Sequence, residues 1–410
     1  MNEREAKEKV VKAGVRLVES GLIARTWGNV SCRISDSHFV ITPSGRDYLS
    51  LTPEEIVTVA IADLSYSGTI KPSGEKAVHA EIYKYSRDAE FVIHTHQENA
   101  SVVSSLGIES MNVGSGYPLL GGEVLIAAYG LPGTKKLRNA VAKAIAGSKS
   151  NAVIMKNHGA VCYGKNEEEA FQAASDLEKA SKHFIEEEYK KKKHVKNYDE
   201  DIMRQLLTAQ ISKKWKEKGY DLNRPYWDSK RTEDGFVLFN KTAKPQVIKF
   251  NQIEKVLSKE AIIHKEVYLK NKSINYIIHT GTPNVLSLSH ANITLFPLVD
   301  DFAQIIGTKV ETVLKDPKKI ALALKKASAV MIGNNGALCC GSTEGDAAAV
   351  QMIMEKNCKA RIVGALFTTS KTKFGIKLIR NVKPLSPLDS KLMRVVYLKK
   401  YSKQISSNGK

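Results

Sequence analysis

The sequence predicts an α/β fold that occurs twice along one chain of 410 residues. Short apolar stretches of strand length alternate with longer amphipathic stretches of helical length, a pattern typical of mixed α/β domains. A chain of this length also exceeds what a single hydrophobic core usually serves, so two domains are expected. In addition, residues 273–281 resemble residues 88–96, and residues 329–337 resemble residues 152–160. Self-similarity over such a distance predicts a duplicated unit.

The composition is that of a globular protein without membrane spans. Hydrophobic residues make up 42% of the chain and charged residues 26%, and no apolar stretch approaches the roughly 20 residues that a membrane-spanning helix needs. The charged N-terminal segment does not resemble a signal or transit peptide. The five cysteines form no C-x-x-C pair. We therefore expect a cytoplasmic protein with reduced thiols and no membrane partner.

The formal net charge of +19 allows two interpretations. It could mark a nucleic-acid-binding surface, or it could be solvated lysine on ordinary helices. We favour the second interpretation, because the lysines are spread along the chain and no nucleic-acid-binding module is visible. A basic surface would still attract a phosphorylated substrate.

The first predicted elements lead into two turns of small residues. Residues 3–20 predict an amphipathic helix that ends at Gly21. The turn Gly28-Asn29 and the turn Thr42-Pro43-Ser44-Gly45 each adjoin a predicted strand. Free backbone N–H groups and hydroxyls in such turns can bind a phosphate, although each turn by itself is more often an ordinary one.

A third turn, Pro72-Ser73-Gly74-Glu75, precedes a helix predicted over residues 76–85. We expect Ser73 to cap this helix, which would place Glu75 in its first turn, near the positive end of the helix dipole. Glu75 is then either a capping carboxylate or an ionised group available for chemistry. Since the next strand follows directly, Glu75 could lie near the histidines at the end of that strand.

His94 and His96 follow the apolar residues 91–93. Because side chains alternate along a strand, both imidazoles project to the same side. Such a pair can bind zinc, copper, iron or nickel, although two polar residues at a strand end need not bind anything. His158 follows the buried strand predicted over residues 152–155 and is the candidate third ligand. Three histidines would leave a coordination position open for water or substrate.

Helices predicted over residues 135–145 and 167–190 complete the first half, and Lys-rich residues 196–235 predict a linker. We therefore predict domains over residues 1–195 and 236–400. In the second domain Gly281 stands in place of His96 and Asn335 in place of His158. It is expected to have kept its core and lost its metal.

Five ordered motifs resemble the class II aldolase and adducin family: Gly28-Asn29, Thr42-Pro43-Ser44-Gly45, Pro72-Ser73-Gly74-Glu75, His94-Thr95-His96 and Asn157-His158-Gly159. The resemblance covers about residues 5–190 and, more faintly, residues 255–365. It implies a layered fold in which helices flank a central, mostly antiparallel sheet.

The same resemblance implies site residues. One Zn²⁺ per chain would be held in the first domain by His94, His96 and His158, with Glu75 as a further ligand that also moves protons. A phosphate site would be formed by Asn29, Ser44, Gly45, Ser73 and Gly74. Tyr129 matches a tyrosine that acts as an acid from a neighbouring subunit, which implies a homo-oligomer.

The function implied by the resemblance is that of a zinc-dependent lyase. Such an aldolase cleaves a ketose 1-phosphate, such as L-fuculose 1-phosphate, to dihydroxyacetone phosphate and an aldehyde, and a divalent cation stabilises the enediolate. Glu75 would act as general base and acid. A methylthioribulose-1-phosphate dehydratase and a pentulose-5-phosphate 4-epimerase stay open, although the epimerases carry Asp at the position of Glu75. A non-catalytic, adducin-like binding protein is disfavoured by the intact histidines.

Overall fold

The computed structural model describes residues 1–23, 27–208, 226–367 and 382–407, with side chains up to residue 399. These residues form two compact units, of which unit 1 comprises Met1–Tyr198 and unit 2 begins at Asp199. No helix of the described residues is long and apolar enough to cross a bilayer. All five cysteines are buried and none forms a disulfide.

Unit 1 combines helices with one mixed sheet. Its helices are α1 (Glu3–Glu19), α2 (Lys76–Tyr85), α3 (Glu98–Ser104), α4 (Lys135–Ala146) and α5 (Glu167–Lys193). Its strands are β1 (Asn29–Arg33), β2 (His38–Ile41), β3 (Val57–Ala60), β4 (Phe91–Thr95), β5 (Ser110–Asn112), β6 (Glu123–Ala127), β7 (Ala152–Met155) and β8 (Gly159–Gly164).

The eight strands of unit 1 lie in the order β3-β2-β1-β4-β8-β7-β6-β5. Neighbouring strands are antiparallel except for β6 and β7, which are parallel. The expectation of a mostly antiparallel sheet is confirmed. Strand β4 lies between β1 and β8, which places Asn29 opposite His94 and Ala160 opposite Thr95.

Helices cover both faces of this sheet. Val78 and Ile82 of α2 and Val141 of α4 share a core cluster with Val92 and Val161 of the central strands. Because strand side chains alternate, the residues next to those valines face the other side, where α1 packs against β1 and β2 and α5 packs against β4 and β8. The result is a layered α/β unit, as expected.

Unit 2 repeats this architecture. Its helices are α6 (Glu200–Thr208), α7 (Lys259–Lys270), α8 (Pro283–His290), α9 (Pro317–Ala323), α10 (Glu344–Gly364) and α11 (Pro387–Ser407). Its strands are β9 (Asp228–Arg231), β10 (Gly235–Phe239), β11 (Gln246–Lys249), β12 (Tyr276–Thr280), β13 (Thr312–Val313), β14 (Ala329–Ile332) and β15 (Ala337–Gly341).

The strand order of unit 2 is β11-β10-β9-β12-β15-β14-β13, the same as β3-β2-β1-β4-β8-β7-β6 of unit 1. The registers also agree, because Thr280 lies opposite Ala337 just as Thr95 lies opposite Ala160. The duplication predicted from the repeat is therefore confirmed.

Two elements occupy part of the segment that was predicted as a linker over residues 196–235. Helix α6 buries Met203 and Leu207, so its charged sequence is one face of an amphipathic helix and not an extended linker. Strand β9 begins the second sheet at Asp228, ahead of the predicted domain start at residue 236. Residues 209–225 of that segment lie outside the described residues. The domain limits themselves stay predictions.

Candidate metal centre

Three buried histidines converge at the end of strand β4. One ring nitrogen from each of His94, His96 and His158 lies within 4.8 Å of the others, and the Nε2 atoms of His94 and His96 are 2.7 Å apart. His158 reaches the pair from the turn between β7 and β8. That turn is tight because Asn157 adopts a φ of 57°, a left-handed conformation that asparagine tolerates better than most residues.

Glu75 completes the cluster. Its Oε1 lies 3.1 Å from Nε2 of His158, and its Oε2 lies 3.5 Å from Nδ1 of His94. The prediction that Ser73 caps α2 is wrong: the helix begins at Lys76, so Glu75 itself occupies the N-cap position. The hydroxyl of Ser73 instead accepts from the backbone N–H of Glu75, at 3.2 Å. Because the Glu75 carboxylate makes no capping hydrogen bond, it is directed to the histidines and not to the helix.

Burial and neighbouring charge set the protonation of this cluster. Burial lowers the pKa of His94 well below its usual value, which keeps the imidazole neutral, the form that binds a metal ion. Burial by itself would raise the pKa of the Glu75 carboxyl, but the adjacent His94, His158 and His96 outweigh it and hold that pKa well below its usual value. The adjacent imidazoles therefore favour the ionised form of the Glu75 carboxylate, which is the form that binds a metal ion.

The donor set fits a divalent transition metal. Three neutral imidazoles and one carboxylate are ligands that zinc accepts, and a tetrahedral site with zinc–nitrogen bonds of about 2.0 Å needs ligand atoms about 3.3 Å apart. The 2.7 Å between Nε2 of His94 and Nε2 of His96 and the 3.1 Å between Nε2 of His158 and Oε1 of Glu75 are close to that spacing. The choice of zinc over another metal is not determined by this set.

The turns that were predicted to bind phosphate lie beside Glu75. The backbone N–H of Ser44 donates to the Lys71 carbonyl at 2.9 Å, and that of Ser73 donates to the Thr42 carbonyl at 3.0 Å, so two of the turns are paired with each other. Asn29 joins them by donating its side-chain N–H to Oε2 of Glu75, at 3.2 Å. Gly45 and Gly74 lie in the paired turns.

Tyr129 lies in the loop between β6 and α4 and is half-buried. The same loop runs close to the Gly74 turn, because a Cβ added at Gly133 would lie 3.2 Å from the Gly74 carbonyl oxygen. Whether Tyr129 serves the site of a neighbouring subunit stays a prediction.

Comparison with known proteins decides the family. The model of the Class II Aldolase and Adducin N-terminal domain matches residues 8–185 and again residues 228–362. The chain belongs to this family. Both matched regions coincide with the two sheets, and the second begins at the first residue of β9.

Relatives within the family differ in reaction. A 5-deoxy-D-ribulose 1-phosphate aldolase of Bacillus thuringiensis serovar kurstaki is 32% identical over 173 residues, which are 42% of this chain and 80% of that protein. A 3-oxo-tetronate 4-phosphate decarboxylase of Pectobacterium atrosepticum is 27% identical over 186 residues, 44% of this chain and 84% of that protein. A methylthioribulose-1-phosphate dehydratase of Serratia proteamaculans is 28% identical over 191 residues, 43% of this chain and 93% of that protein.

Among solved structures, an L-fuculose 1-phosphate aldolase shares 31% sequence identity, with a TM-score of 0.41 over 44% of this chain and 84% of that chain. The three curated relatives each match 42 to 44% of the chain, as expected of a duplicated member of the class II aldolase and adducin family.

In unit 2 of this family member, other packed side chains occupy the positions equivalent to the candidate metal centre. The side chain of Tyr226 lies where a side chain at position 281 would project, since a Cβ added at Gly281 would lie 2.0 to 2.2 Å from two ring carbons and the hydroxyl oxygen of Tyr226. The retained His279 places Nε2 2.7 Å from the backbone carbonyl of Asn335. Glu260, which aligns with Glu75, forms an ion pair with Lys315 at 2.8 Å.

A buried polar network next to the site was not predicted from the sequence. The Ser31 hydroxyl lies 2.6 Å from Nδ1 of His79 and 2.7 Å from the Tyr83 hydroxyl. Unit 2 contains the same network, with Ser229 2.7 Å from His264 and 2.8 Å from Tyr268. The repeat could have indicated this network, because the motifs Ser-x-Arg and His-x-x-x-Tyr occur at matching positions in both halves. They are Ser31/Arg33 and His79/Tyr83 in the first half, and Ser229/Arg231 and His264/Tyr268 in the second.

Proposed function

We propose that unit 1 is a zinc-dependent aldolase that cleaves a ketose 1-phosphate to dihydroxyacetone phosphate and an aldehyde. The observation that carries the proposal is the position of the Glu75 carboxylate, which lies 3.1 Å from His158 and 3.5 Å from His94 and beside the turns predicted to bind phosphate. The 32% identity to a 5-deoxy-D-ribulose 1-phosphate aldolase supports the same reaction class.

The proposed reaction breaks the C3–C4 bond of the ketose. The electron pair stays on C3 as part of an enediolate, and the C4 hydroxyl loses its proton as the aldehyde forms. A bound divalent cation would supply electrostatic stabilisation of the enediolate oxygens. Tyr129 of a neighbouring subunit would pass the proton of the C4 hydroxyl on to the Glu75 carboxylate, and Glu75 would then deliver that proton to C3, so that no net proton is gained or lost.

Asn29, Ser44, Gly45, Ser73 and Gly74 would hold the phosphate and thereby fix C3 relative to Glu75. Two of the three turns that supply these residues are tied together by hydrogen bonds from the Ser44 and Ser73 backbone N–H groups, which fixes the positions of these turns relative to one another. The excess of positive charge, +19 over the chain, would favour capture of a phosphorylated sugar. We further propose a cytoplasmic homo-oligomer with one Zn²⁺ per chain.

The experiment combines metal analysis with product analysis. Metal content is measured on the wild type, on His94→Ala and on His279→Ala, which alters the aligned histidine of unit 2. We expect about one zinc per chain in the wild type and in His279→Ala, and none in His94→Ala. Zinc-free wild type, even after reconstitution, would contradict the proposal.

Turnover is then followed with 5-deoxyribulose 1-phosphate, L-fuculose 1-phosphate and methylthioribulose 1-phosphate. We expect release of dihydroxyacetone phosphate, and a loss of about 10² to 10⁴-fold in kcat for Glu75→Gln with zinc retained. Loss of water from methylthioribulose 1-phosphate without any dihydroxyacetone phosphate would assign a dehydratase instead.

A further inference from the structure

A chain of buried polar groups extends from Tyr83 to the candidate metal centre. The Tyr83 hydroxyl contacts Ser31 at 2.7 Å, Ser31 contacts Nδ1 of His79 at 2.6 Å, and Nε2 of His79 contacts Oδ1 of Asn29. Nδ2 of Asn29 then donates to Glu75 at 3.2 Å. Ser31 and His79 are completely buried, and Asn29 and Tyr83 are at most 4% exposed. Hardly any solvent is therefore available to these groups as an alternative partner.

The direction of every hydrogen bond in this network follows from the orientation of the Asn29 amide. Its Nδ2 donates to Oε2 of Glu75 at 3.2 Å, and its carbonyl Oδ1 faces Nε2 of His79. His79 must then carry its proton on Nε2, which leaves Nδ1 as the acceptor of the Ser31 hydroxyl proton. Ser31 in turn accepts from Tyr83.

Unit 2 shows which part of this hydrogen-bond network the fold requires. Ser229, His264 and Tyr268 reproduce the first three members, with contacts of 2.7 and 2.8 Å. The register places Trp227 where Asn29 stands in unit 1. The serine, histidine and tyrosine thus belong to the fold of both units, whereas the extension through Asn29 to Glu75 occurs in unit 1.

We propose that His79 is a positioning residue, whose Nε2–H holds the Asn29 amide so that its NH₂ group faces both Glu75 and the phosphate of the substrate. The inference rests on the proposed function of unit 1 as a sugar-phosphate lyase. An NH₂ group has two hydrogens, so Asn29 can donate to the carboxylate and to a phosphate oxygen at once. Without the His79 donor, the amide could turn over and present its carbonyl oxygen to two anions.

The variants come in matched pairs. His79→Leu removes the donor, and His79→Gln keeps an N–H that can reach Asn29. His264→Leu and His264→Gln make the same changes in unit 2, away from Glu75 and Asn29. Each variant is characterised as the full-length, zinc-loaded chain by melting temperature, zinc content, calorimetric titration with inorganic phosphate, and kcat and KM.

We expect both leucine variants to lower the melting temperature, because both break a buried network. His79→Leu should keep its zinc and weaken phosphate binding and kcat/KM by about 10 to 100-fold, the usual effect of losing a hydrogen-bond partner behind a site residue. His79→Gln should recover most of both, and neither His264 variant should change them.

Equal phosphate binding in His79→Leu and wild type would overturn the inference, as would a loss in His79→Gln as large as in His79→Leu. If the wild type cleaves none of the ketose phosphates, the proposed function fails, yet the phosphate titration still tests His79. A wild type that binds no phosphate would overturn the inference as well.

Discussion

Gly159→Ala tests whether the pairing of β4 with β8 holds the metal centre together. A Cβ at position 159 would lie 2.3 Å from the Thr95 carbonyl oxygen and 3.5 Å from Cγ of His96, whereas real Cβ atoms essentially never approach closer than 3.0 Å. The clash is with backbone, so no side chain can rotate away. The two strands would have to separate by roughly 1 Å.

The cost follows from the geometry. Overpacking of this kind destabilises by about 1 to 3 kcal/mol. Because His158 precedes Gly159 and His96 follows Thr95, the same shift moves two metal ligands apart, and metal–ligand distances tolerate only about 0.2 Å. If the full cost falls on the metal-bound form, zinc affinity drops by about 5 to 150-fold.

Gly336→Ala is the matched control in unit 2. A Cβ there would lie 2.0 Å from the Thr280 carbonyl oxygen, and the residue has a φ of 72°, so the variant should be at least as destabilising. Urea unfolding and competitive zinc titration of both variants measure the two effects separately. We expect both to lose stability and only Gly159→Ala to lose zinc affinity. Wild-type zinc affinity in Gly159→Ala, or an equal loss in Gly336→Ala, would refute the reasoning.

Three further predictions concern protonation, the acid and unit 2. Burial lowers the pKa of His79 and of His264 from 6.5 to about 3, so below pH 6.5 the unfolded chain binds protons that the folded chain does not. The free energy of unfolding should therefore fall by about 1.4 kcal/mol per pH unit and per histidine between pH 6.5 and pH 3. Urea unfolding at several pH values should show a shallower decline for His264→Gln than for the wild type. Tyr129→Phe should keep its zinc and lose about 10² to 10⁴-fold in kcat; unchanged turnover would exclude the acid role. Gly281→His with Asn335→His should add no second zinc, because the Tyr226 ring fills that space; a second zinc per chain by metal analysis would disprove this occlusion.

The limits of helices and strands were predicted well where they depend on residues that are adjacent in the sequence. The helix over residues 76–85 and the strand over residues 152–155 have the expected limits, because a turn of Pro, Ser and Gly ends one pattern and a buried apolar run defines the other. The Ser73 cap was wrong because the helix begins three residues after Ser73, at Lys76, so the hydrogen bond from the Glu75 N–H to the Ser73 hydroxyl belongs to the preceding turn. In the predicted linker, lysine-rich composition concealed the periodic burial of Met203 and Leu207.

The site was predictable to the extent that it depends on strand alternation. His94 and His96 share a face because they are two residues apart. The convergence of His158 on them depends on β8 pairing with β4, and the contact of Asn29 with His79 depends on α2 packing over β1; neither follows from spacing. The sequence points to His79 only through the matching His264 in the second half. Residues that occur in both halves are those that the fold needs, whereas residues that occur in one half are those that the site needs.

That distinction explains how unit 2 can keep the fold without two of the three histidines. It keeps the groups that join its layers, including Arg231, whose guanidinium donates to the Tyr268 and Asn271 carbonyls just as Arg33 donates to those of Tyr83 and Ser86. It has also filled the vacated space, with the Tyr226 ring against His279 at a centroid distance of 4.8 Å. Loss of an imidazole leaves a cavity and an unpaired polar partner, each of which costs stability. Gly281, which stands in unit 2 where His96 stands in unit 1, is therefore tolerated only together with Tyr226. Positions 281 and 226 should be energetically coupled in a double-mutant cycle.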